Sequence, residues 1–423
     1  MPAALARALY SALLRLLTPA YLLRLLWRSR REPEYRRRLG ERLGWYRAPV
    51  PPALTLWLHA VSLGETRAAA PLVQALRAHR PGLRLLLTCS TATGWEAGQA
   101  LLRGGDLHTW LPFDTPGAVR RFLRHHRPAV GVLMETEIWP NLLHAAAAAG
   151  VPVVLANARL SDKSLARGER FAALLKPAAR HVGVVLAQTE ADAERLRAFG
   201  ADPVHVCGNL KFDVAPSPQL VERGRQWRRM LRRPVVLAAS TREGEEEPLL
   251  AAWQQLPAPR PLLLVVPRHP QRFEEVALLA LRRGLRLHRR TGWGEAPPAA
   301  VLGADVWLGD TMGEMPLYYG LADVALLGGS FAPLGGQNLI EAAACGCPVV
   351  MGPHTFNFAE AAQWCLDARA GVRVADVGEG VQRAAAIAAD PRRGDWVERA
   401  HAFAAAHRGA TERMAQRIAA LLP

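Results

Sequence analysis

Short runs of continuously apolar residues alternate with helical stretches from residue 54 onward, and this alternation constrains the fold more than any other feature of the chain. Strands that are apolar without alternation are typical of a parallel sheet covered by helices on both faces. The first series of runs comprises Leu54–Ser62, Arg84–Ser90, Ala129–Glu135, Pro152–Asn157, Val182–Gln188 and Val204–Gly208. The second series comprises Pro234–Ser240, Leu262–Pro267, Ala304–Leu308, Ala322–Leu327 and Pro348–Met351.

Two such series in a chain of 423 residues predict two domains, because a single core rarely grows to this size. We interpret residues 214–233 as a linker followed by the first helix of the second domain. The predicted fold is α/β, with two doubly wound Rossmann-like domains facing a cleft at the carboxyl ends of their strands. The predicted boundaries are 31–214 for the first domain and 215–423 for the second, with residues 1–30 forming a separate helix.

The N-terminal segment 3–28 has the pattern of an amphipathic helix. Its polar stripe carries Arg7, Ser11, Arg15 and Thr18, and the opposite stripe carries Leu5, Leu9, Leu13 and Leu16. The longest uncharged run is eight residues, short of the ~18 that indicate a membrane span. We therefore predict an interfacial membrane anchor, with the leucines in the bilayer boundary and the arginines at lipid phosphates. A helix packed on the protein itself and a tilted span with snorkelling arginines are the alternatives.

The net charge of +16 is concentrated at the N-terminus, since residues 1–50 contain 11 Arg, no Lys, no Asp and three Glu, a balance of +8. A basic cluster beside an apolar segment suits anionic membrane lipids. Nucleic acid is not an expected partner, because the sequence has no helix-turn-helix, RNP or zinc-finger pattern. The five cysteines are irregularly spaced, which predicts buried, reduced thiols and a cytoplasmic compartment.

Polar residues follow the strands of the first series. Glu65 comes directly after the first strand, at the start of a helix, where a carboxylate serves either as a helix cap or as a general base. Later loops carry the segments 135–141, 157–161 and 208–213, which read ETEIWPN, NARLS and GNLKFD. Because the carboxyl ends of parallel strands meet at one edge of a sheet, these charged and amide groups are expected to converge.

Loops of the second series have the features of a nucleotide site. Arg268 and His269 follow one strand, GDTMGE at 309–314 follows another, and GGQN at 335–338 opens a helix containing Glu341. Glycines before a helix allow backbone N–H groups to reach a phosphate, and the carboxylate can accept bonds from ribose hydroxyls. The acidic run 243–247 is interpreted as ordinary helix capping. A dinucleotide-binding oxidoreductase is disfavoured because no GxGxxG follows the first strand of either half, and the P-loop pattern is absent too.

Eight motifs in this order resemble the bacterial 3-deoxy-D-manno-octulosonic acid (Kdo) transferases of lipopolysaccharide synthesis. They are HAVSLGE at 59–65, ETEIWPN at 135–141, NARLSDKS at 157–164, GNLKFD at 208–213, PRHPQRF at 267–273, GDTMGE at 309–314, GGQNLIE at 335–341 and MGPHTFNF at 351–358. The resemblance extends over nearly the whole chain. It implies the GT-B glycosyltransferase fold, CMP-Kdo as donor, the lipid A precursor (lipid IVA) as acceptor, and location at the cytoplasmic face of the inner membrane.

The resemblance also implies roles for individual residues. Glu65 is expected to be the catalytic base, with Glu135 (or Glu137) and Lys211 stabilising charge. The residues expected to hold CMP are Arg268, His269, Met312, Gly313, Glu314, Asn338, Leu339, Ile340 and Glu341. The chain has Gln337 where the family usually has His. The reaction is expected to invert the sugar configuration and to need no cofactor or metal, since no Asp-x-Asp is present. A related transferase with another acceptor, or a non-catalytic membrane-bound nucleotide-binding protein, is the alternative.

Overall fold

The computed structural model describes residues 2–47 and 49–423, which form two compact units. Unit 1 comprises Met1–Asp213 together with Arg408–Pro423, and unit 2 comprises Val214–His407. Each unit contains one seven-stranded sheet in which every described strand pairing is parallel. The prediction of two doubly wound α/β domains is therefore confirmed.

The sheet of unit 1 has the strand order β3-β2-β1-β4-β5-β6-β7. Its strands are β1 (Thr55–His59), β2 (Arg84–Cys89), β3 (Leu107–Trp110), β4 (Val130–Met134), β5 (Val153–Ala158), β6 (Val184–Ala187) and β7 (Val204–Val206). The sheet of unit 2 has the order β10-β11-β9-β8-β12-β13-β14. Its strands are β8 (Val235–Thr241), β9 (Leu262–Pro267), β10 (Leu287–Arg289), β11 (Val306–Leu308), β12 (Val324–Leu327), β13 (Val349–Met351) and β14 (Gly371–Arg373).

Helices cover both sheets. Those of unit 1 include α1 (Ala3–Arg28), α2 (Leu63–His79), α3 (Ala92–Gly98), α4 (Pro116–His126), α5 (Pro140–Ala148), α6 (Asp162–Glu169), α7 (Ala172–Ala179) and α8 (Glu190–Ala198). Unit 2 contains α9 (Pro218–Met230), α10 (Glu246–Gln254), α11 (Phe273–Arg282), α12 (Met315–Leu321), α13 (Leu339–Ala344), α14 (Ala359–Asp367), α15 (Val377–Ala389) and α16 (Arg393–Ala406). The last helix, α17 (Ala410–Ala419), returns to unit 1. Short 3-10 helices occur at Pro33–Arg36, Leu39–Leu43, Gln99–Leu101, Leu210–Asp213, Pro270–Arg272, Arg290–Gly292, Ala299–Val301 and Phe356–Phe358.

Every predicted apolar run contains a strand, because the inner strands are covered on both faces. In β1 all residues are buried; Trp57 joins the core on one face, and Leu56 and Leu58 join the core on the other. The sequence reading missed β3, β10 and β14. All three are edge strands with partly exposed residues, so they do not need a continuous apolar run.

The C-terminal segment 408–423 corrects the predicted extent of the second domain. Helix α17 packs on α2, and Met414 and Ile418 are fully buried in the core of unit 1. The carboxylate of Asp213 accepts hydrogen bonds from the backbone N–H groups of Gly409 at 2.7 Å and Thr411 at 2.5 Å. Burial of this apolar face together with the capped helix start holds the segment on unit 1 rather than unit 2.

Helix α1 contacts the rest of unit 1 through Ser11 of its polar stripe and through Tyr10, whereas its leucine face is exposed. The hydroxyl of Ser11, only 6% exposed, donates to Asn141 Oδ1 at 3.1 Å. The hydroxyl of Tyr10 donates to Asp114 Oδ2 at 3.0 Å. The four leucines of the apolar stripe are between 50% and 77% exposed. This is the reverse of an amphipathic helix in a soluble protein, whose apolar face turns inward.

Both ends of α1 contact unit 1, since Ala6 and Ser11 near its start and Leu25 near its end are buried. The helix therefore runs along the surface of the unit. Among the described helices, α1 alone is long and apolar enough to cross a membrane.

All five cysteines are unpaired and buried, in agreement with the sequence prediction.

Helices α9 and α12 of unit 2 cross at very short range because each has a glycine at the crossing point. A Cβ atom on Gly224 would overlap the carbonyl oxygen of Leu317, and a Cβ on Gly320 would overlap the carbonyl oxygen of Val221. Both obstacles are backbone atoms of a packed helix, so they cannot rotate away.

We therefore expect Gly224→Ala to destabilise unit 2 by roughly 1–3 kcal/mol or more, the usual cost of overpacking. Thermal or urea unfolding of the purified protein measures this loss. Gly394→Ala is the matched control, because Gly394 lies within helix α16 and no atom lies within 4 Å of its added Cβ; alanine there should be neutral or slightly stabilising. Equal stabilities for the two variants would contradict the close packing of α9 on α12.

Candidate active site

Glu65 lies at the carboxyl edge of the sheet in unit 1, in the first turn of α2. Ser62 is the N-cap residue of this helix, and its hydroxyl accepts a hydrogen bond from the backbone N–H of Glu65. The Glu65 carboxylate in turn accepts from the backbone N–H of Val61 at 2.8 Å and from the Ser62 hydroxyl at 2.9 Å. The arrangement is a variant of the capping box, so the capping interpretation of Glu65 is confirmed. Each carboxylate oxygen has two lone pairs, so capping leaves Glu65 able to accept a proton.

The pKa of Glu65 is raised above its usual value, mainly by burial. The hydrogen bonds from Val61 and Ser62 oppose this rise, the negative charge of Glu135 adds to it, and the positive charge of Lys211 lowers it. The three predicted catalytic residues of unit 1 therefore influence one another electrostatically. A carboxylate with a raised pKa is a stronger base, as general-base catalysis requires.

Glu135 follows β4 with a backbone φ of 57°, in the left-handed region that non-glycine residues seldom adopt. Strain of this kind occurs preferentially at functional sites. Its Oε1 lies 3.9 Å from Nζ of Lys211. The structure thus brings Glu135 and Lys211 together as an ion pair at the same edge as Glu65.

Glu137 is more enclosed than Glu135. The indole N–H of Trp139 donates to Glu137 Oε2 at 2.6 Å, and the same oxygen lies 4.0 Å from Nε2 of His59. Burial raises the pKa of Glu137 to about 7, and the negative charges of Glu65 and Glu135 add to the rise. Glu137 is therefore partly protonated near neutral pH.

His59, the last residue of β1, was not assigned a role from the sequence. Its side chain is fully buried, and burial lowers its pKa to about 4, so the ring is neutral. Nδ1 lies 3.0 Å from both the carbonyl oxygen and the hydroxyl oxygen of Thr88. Nε2 lies 4.0 Å from Glu137 Oε2 and has no hydrogen-bond partner in the described part of the chain. A histidine within an apolar strand was the available sequence signal.

A chain of amide side chains holds the segment that carries Lys211. Asn157 Oδ1 accepts from the backbone N–H of Leu210 at 3.0 Å, and the Gln188 amide donates to the Asn157 carbonyl oxygen at 2.9 Å. The Asn209 amide donates to Gln188 Oε1 at 2.9 Å, and Asn209 Oδ1 accepts from the backbone N–H of Lys211 at 2.9 Å. Asn157 lies near the end of β5, Gln188 follows β6 and Asn209 follows β7, so three neighbouring strands fix the position of the Lys211 backbone.

The predicted nucleotide loops of unit 2 follow β9, β11 and β12, which together with β8 are adjacent in the sheet. Arg268 and His269 are exposed at the end of β9. The pKa of His269 is lowered by burial and by the positive charges of Arg242 and Arg268. Arg242, which follows β8, therefore joins this basic cluster, although the sequence reading did not select it.

Glu245 has a role other than the helix capping predicted for the acidic run 243–247. Its side chain does not cap α10. Instead the buried carboxylate accepts hydrogen bonds from the backbone N–H groups of Gly329 at 2.8 Å, Phe331 at 3.2 Å and Ala332 at 3.2 Å. Glu245 thus shapes the glycine-rich loop after β12 from inside the unit.

The residues at 338–341 are only partly available to a ligand. Asn338 caps α13, with its Oδ1 accepting from the backbone N–H of Ile340 at 3.1 Å. The side chains of Leu339 and Ile340 are buried in the interior, so they could meet a ligand only through their backbone. Glu341 and Arg268 both act on the pKa of buried Tyr319, which burial raises well above its usual value; the carboxylate adds to the rise and the guanidinium opposes it.

The residues of the turn at 312–314 differ in how accessible they are to a ligand. Met312 is 68% exposed and Gly313 has a φ of 82°. Glu314 is engaged within the protein, because its Oε1 accepts from Arg290 at 2.9 Å and its Oε2 accepts from the Tyr318 hydroxyl at 3.2 Å.

In the described ranges 2–47 and 49–423, no group of three or more His, Cys, Asp or Glu side chains could hold a metal ion.

The raised pKa of Glu137 predicts an unusual pH dependence of stability. This pKa rises from ~4.3 in the unfolded chain to about 7 in the folded protein, mainly because of burial. The folded state therefore binds the proton more tightly, and this contribution to stability is present at low pH and is lost as the pH rises through about 7. The full loss should be roughly 4 kcal/mol, of which roughly 3 kcal/mol falls above pH 5. Glu137→Gln has no titrating carboxyl group at this position, so this loss should disappear.

Urea unfolding at a series of pH values from 5 to 8 measures the effect as the difference in free energy of unfolding. Glu135→Gln is the matched control; it removes a neighbouring carboxylate that does not contact His59 and should retain most of the wild-type slope. An unchanged slope in Glu137→Gln would show that Glu137 is ionised throughout this range.

Comparison with known proteins identifies the family of the chain. A family model described as 3-deoxy-D-manno-octulosonic-acid transferase (kdotransferase) matches residues 37–214. The 3-deoxy-D-manno-octulosonic acid transferase of Bordetella pertussis is 50% identical over 87% of this chain and 87% of its own length. That of Haemophilus influenzae is 36% identical over 89% of each chain. The solved structure of Anabaena HepE in complex with UDP superposes with a TM-score of 0.59 at 16% identity, covering 87% of this chain and 100% of that one, which supports the fold. The chain belongs to the family of 3-deoxy-D-manno-octulosonic acid transferases.

Proposed function

We propose that this chain transfers Kdo from CMP-Kdo to the lipid A precursor, with Glu65 as the general base. The observation that carries the proposal is the position of the Glu65 carboxylate at the carboxyl edge of its sheet, with a raised pKa and with Glu135 and Lys211 acting on it. Membership of the Kdo transferase family identifies Kdo as the sugar that is transferred.

In the proposed reaction Glu65 accepts the proton of an acceptor hydroxyl. The hydroxyl oxygen forms a bond to the anomeric carbon of Kdo on the face opposite the phosphate. The bond between that carbon and the phosphate oxygen breaks, and CMP departs with the electron pair, so the configuration inverts in one displacement. Negative charge then passes from the base to the leaving phosphate, and the charge of Lys211 is suited to stabilise a developing anion.

On the donor side, the basic cluster of Arg242, Arg268 and His269 is suited to a phosphate monoanion. The exposed turn at Met312 and Gly313 and the glycine loop before Asn338 offer backbone groups to the nucleoside. We place Glu314 in a supporting role, because Arg290 and Tyr318 already occupy its carboxylate. Gln337, whose amide lies next to Gly329, provides a donor and an acceptor at the position where the family usually has histidine.

Glu65→Gln should lower the turnover number by roughly 10²–10⁴, the usual contribution of a general base, and leave CMP affinity nearly unchanged. Glutamine retains the shape of the side chain and can still accept from Val61, so folding should be preserved. The measurement is turnover with CMP-Kdo and the lipid A precursor, followed by mass spectrometry of the lipid product, with calorimetry for CMP.

Ser62→Ala is the matched control for the capping function. It removes the N-cap hydroxyl and should cost ~1 kcal/mol of stability while most of the turnover remains. Near-normal turnover in Glu65→Gln would leave Glu65 with the capping function alone and would remove it from the mechanism.

We further propose that α1 holds the protein at the cytoplasmic face of the inner membrane. The exposed leucine stripe supports this, because a continuous apolar surface of this size is unfavourable in water and is typical of a membrane contact. The docking of both ends of α1 on unit 1 favours a helix lying in the interface over one that crosses the bilayer. Exposed Arg15 and Arg24 on the same helix are suited to anionic lipid headgroups.

The double variant Leu9→Glu/Leu13→Glu should reduce partitioning onto anionic phospholipid vesicles by at least about tenfold, since burial of each leucine is worth ~1.5–3 kcal/mol. Co-sedimentation with vesicles measures the partitioning. Leu278→Glu/Leu281→Glu on α11 is the control, because these leucines are similarly exposed, at 43% and 53%, but lie in unit 2. Unchanged sedimentation of the α1 variant would place the membrane contact elsewhere on the protein.

A further inference from the structure

An apolar cavity of about 220 Å³ lies in unit 1 beneath helices α6 and α7. Its inner walls are core side chains of β5, β6 and α8, among them Leu155, Val185 and Leu196. Leu175 and Ala179 of α7 form part of its cover. The space opens to the surface at exposed Thr136 and Ser164, and most of its lining is hydrocarbon.

The cover of the cavity is loosely attached. Helix α6 buries none of its residues, and α7 buries only Ala178 and Ala179. The lining offers almost no hydrogen-bonding groups, and apolar cavities of this kind remain dry and take up hydrocarbon ligands. The cavity therefore has the chemistry of a site for an alkyl chain.

The cavity reaches the catalytic edge of the sheet. Thr136, which lies between Glu135 and Glu137 in the chain, lines it and is exposed. The hydroxyl of Thr136 donates to the carbonyl oxygen of Arg159, which connects the two loops that border the cavity. Ser164 of α6 is a second exposed lining residue. A molecule whose polar end meets Glu65 and Glu135 could thus extend an apolar part into the cavity.

The cavity is also next to the proposed membrane contact. Helix α7, which covers it, packs against α1, and the outward face of α1 is the exposed leucine stripe. Phe171, between α6 and α7, is 59% exposed. Apolar surface is therefore present on both sides of α7, at the lipid-facing helix and in the cavity.

The outer surface of α6 is suited to an anionic headgroup. Lys163, Arg167 and the adjacent Arg170 are all exposed. Ammonium and guanidinium groups are the usual protein partners of phosphate. Basic residues at the entrance and hydrocarbon inside match a phosphorylated, acylated acceptor.

We propose that this cavity binds one acyl chain of the lipid acceptor and so positions the acceptor hydroxyl at Glu65. The inference rests on the proposed function, because it takes a lipid as the acceptor. Recognition of the acceptor then has two parts, the sugar phosphates on the exposed basic side chains and the acyl chain in the cavity. Each buried methylene should improve binding about fourfold.

The test is to fill the cavity from its walls. In Ala179→Leu the larger side chain occupies the space intended for the acyl chain, and KM for the acylated acceptor should rise by at least about tenfold, with kcat changed by less than about threefold. The same variant should turn over the acceptor from which the acyl chains have been removed at the wild-type kcat/KM. Ala201→Leu, at a second lining residue, should behave in the same way.

Ala166→Leu is the matched control, because it adds the same atoms on the exposed side of α6 outside the cavity and should leave KM for both acceptors unchanged. Thermal unfolding of each variant shows whether it is folded. If Ala179→Leu and Ala201→Leu fold and retain the wild-type KM for the acylated acceptor, the cavity is a packing void and the proposal is wrong. If the wild-type enzyme transfers no Kdo to the acylated acceptor, the proposed function itself fails, which is a distinct result.

Discussion

The burial of the central strands on both faces is the constraint on which the rest of each unit depends. A strand such as β1, with every side chain buried and a paired strand on each side, cannot accommodate unpaired charge along its length. Polar chemistry is therefore confined to the strand ends, and the parallel arrangement gathers those ends at one edge. In unit 1 this edge collects Glu65, Glu135, Glu137 and Lys211; in unit 2 it collects Arg242, Arg268 and the glycine loops. The same argument explains why His59, at the last position of β1, is the one ionisable side chain within that strand.

Three carboxylates at one edge repel one another, and each is stabilised in a different way. Glu65 is held by two hydrogen bonds at the start of α2, and Glu135 faces the ammonium group of Lys211. Glu137 accepts a hydrogen bond from the indole of Trp139, and burial raises its pKa to about 7, so it is partly protonated near neutral pH. One edge can in this way contain a hydrogen-bonded base, an ion pair and a partly protonated carboxyl group, because local hydrogen bonds and burial separate their proton affinities. This division also favours Glu135 over Glu137 as the partner of Lys211.

The N-terminal helix α1 is attached to the same edge. The hydroxyls of Ser11 and Tyr10 donate to Asn141 and Asp114, and Asn141 is the last residue of the ETEIWPN segment that begins with Glu135. The helix proposed as the membrane contact is therefore attached to the loop that carries the carboxylates. Helix α7 packs against α1 and covers the apolar cavity, so the proposed membrane contact, the proposed acyl-chain site and the proposed base all belong to unit 1.

Much of the fold was determined by local patterns in the sequence. The inner strands were predicted because two-sided burial requires continuous apolar runs, and the catalytic and nucleotide loops were predicted because they follow those runs. The stripe pattern of α1 was predicted as well, since helical periodicity depends only on neighbouring residues. Edge strands β3, β10 and β14 were missed because a half-covered strand tolerates polar residues such as His108 and Arg373.

The remaining features depend on contacts between residues far apart in the chain. Only the tertiary structure decided that α17 returns to unit 1, because Met414 and Ile418 fit a core formed by residues more than 200 positions earlier. It also decided that α1 turns Tyr10 and Ser11 inward, since Asp114 and Asn141 accept their hydrogen bonds. The surroundings of His59 likewise come from other elements, since Thr88 and Glu137 lie beside its ring. Glu245 depends on the backbone of residues 329–332, which donates to its carboxylate. A sequence pattern shows on which face of its own helix or strand a residue lies. The residue that it contacts on another element depends on how the elements pack.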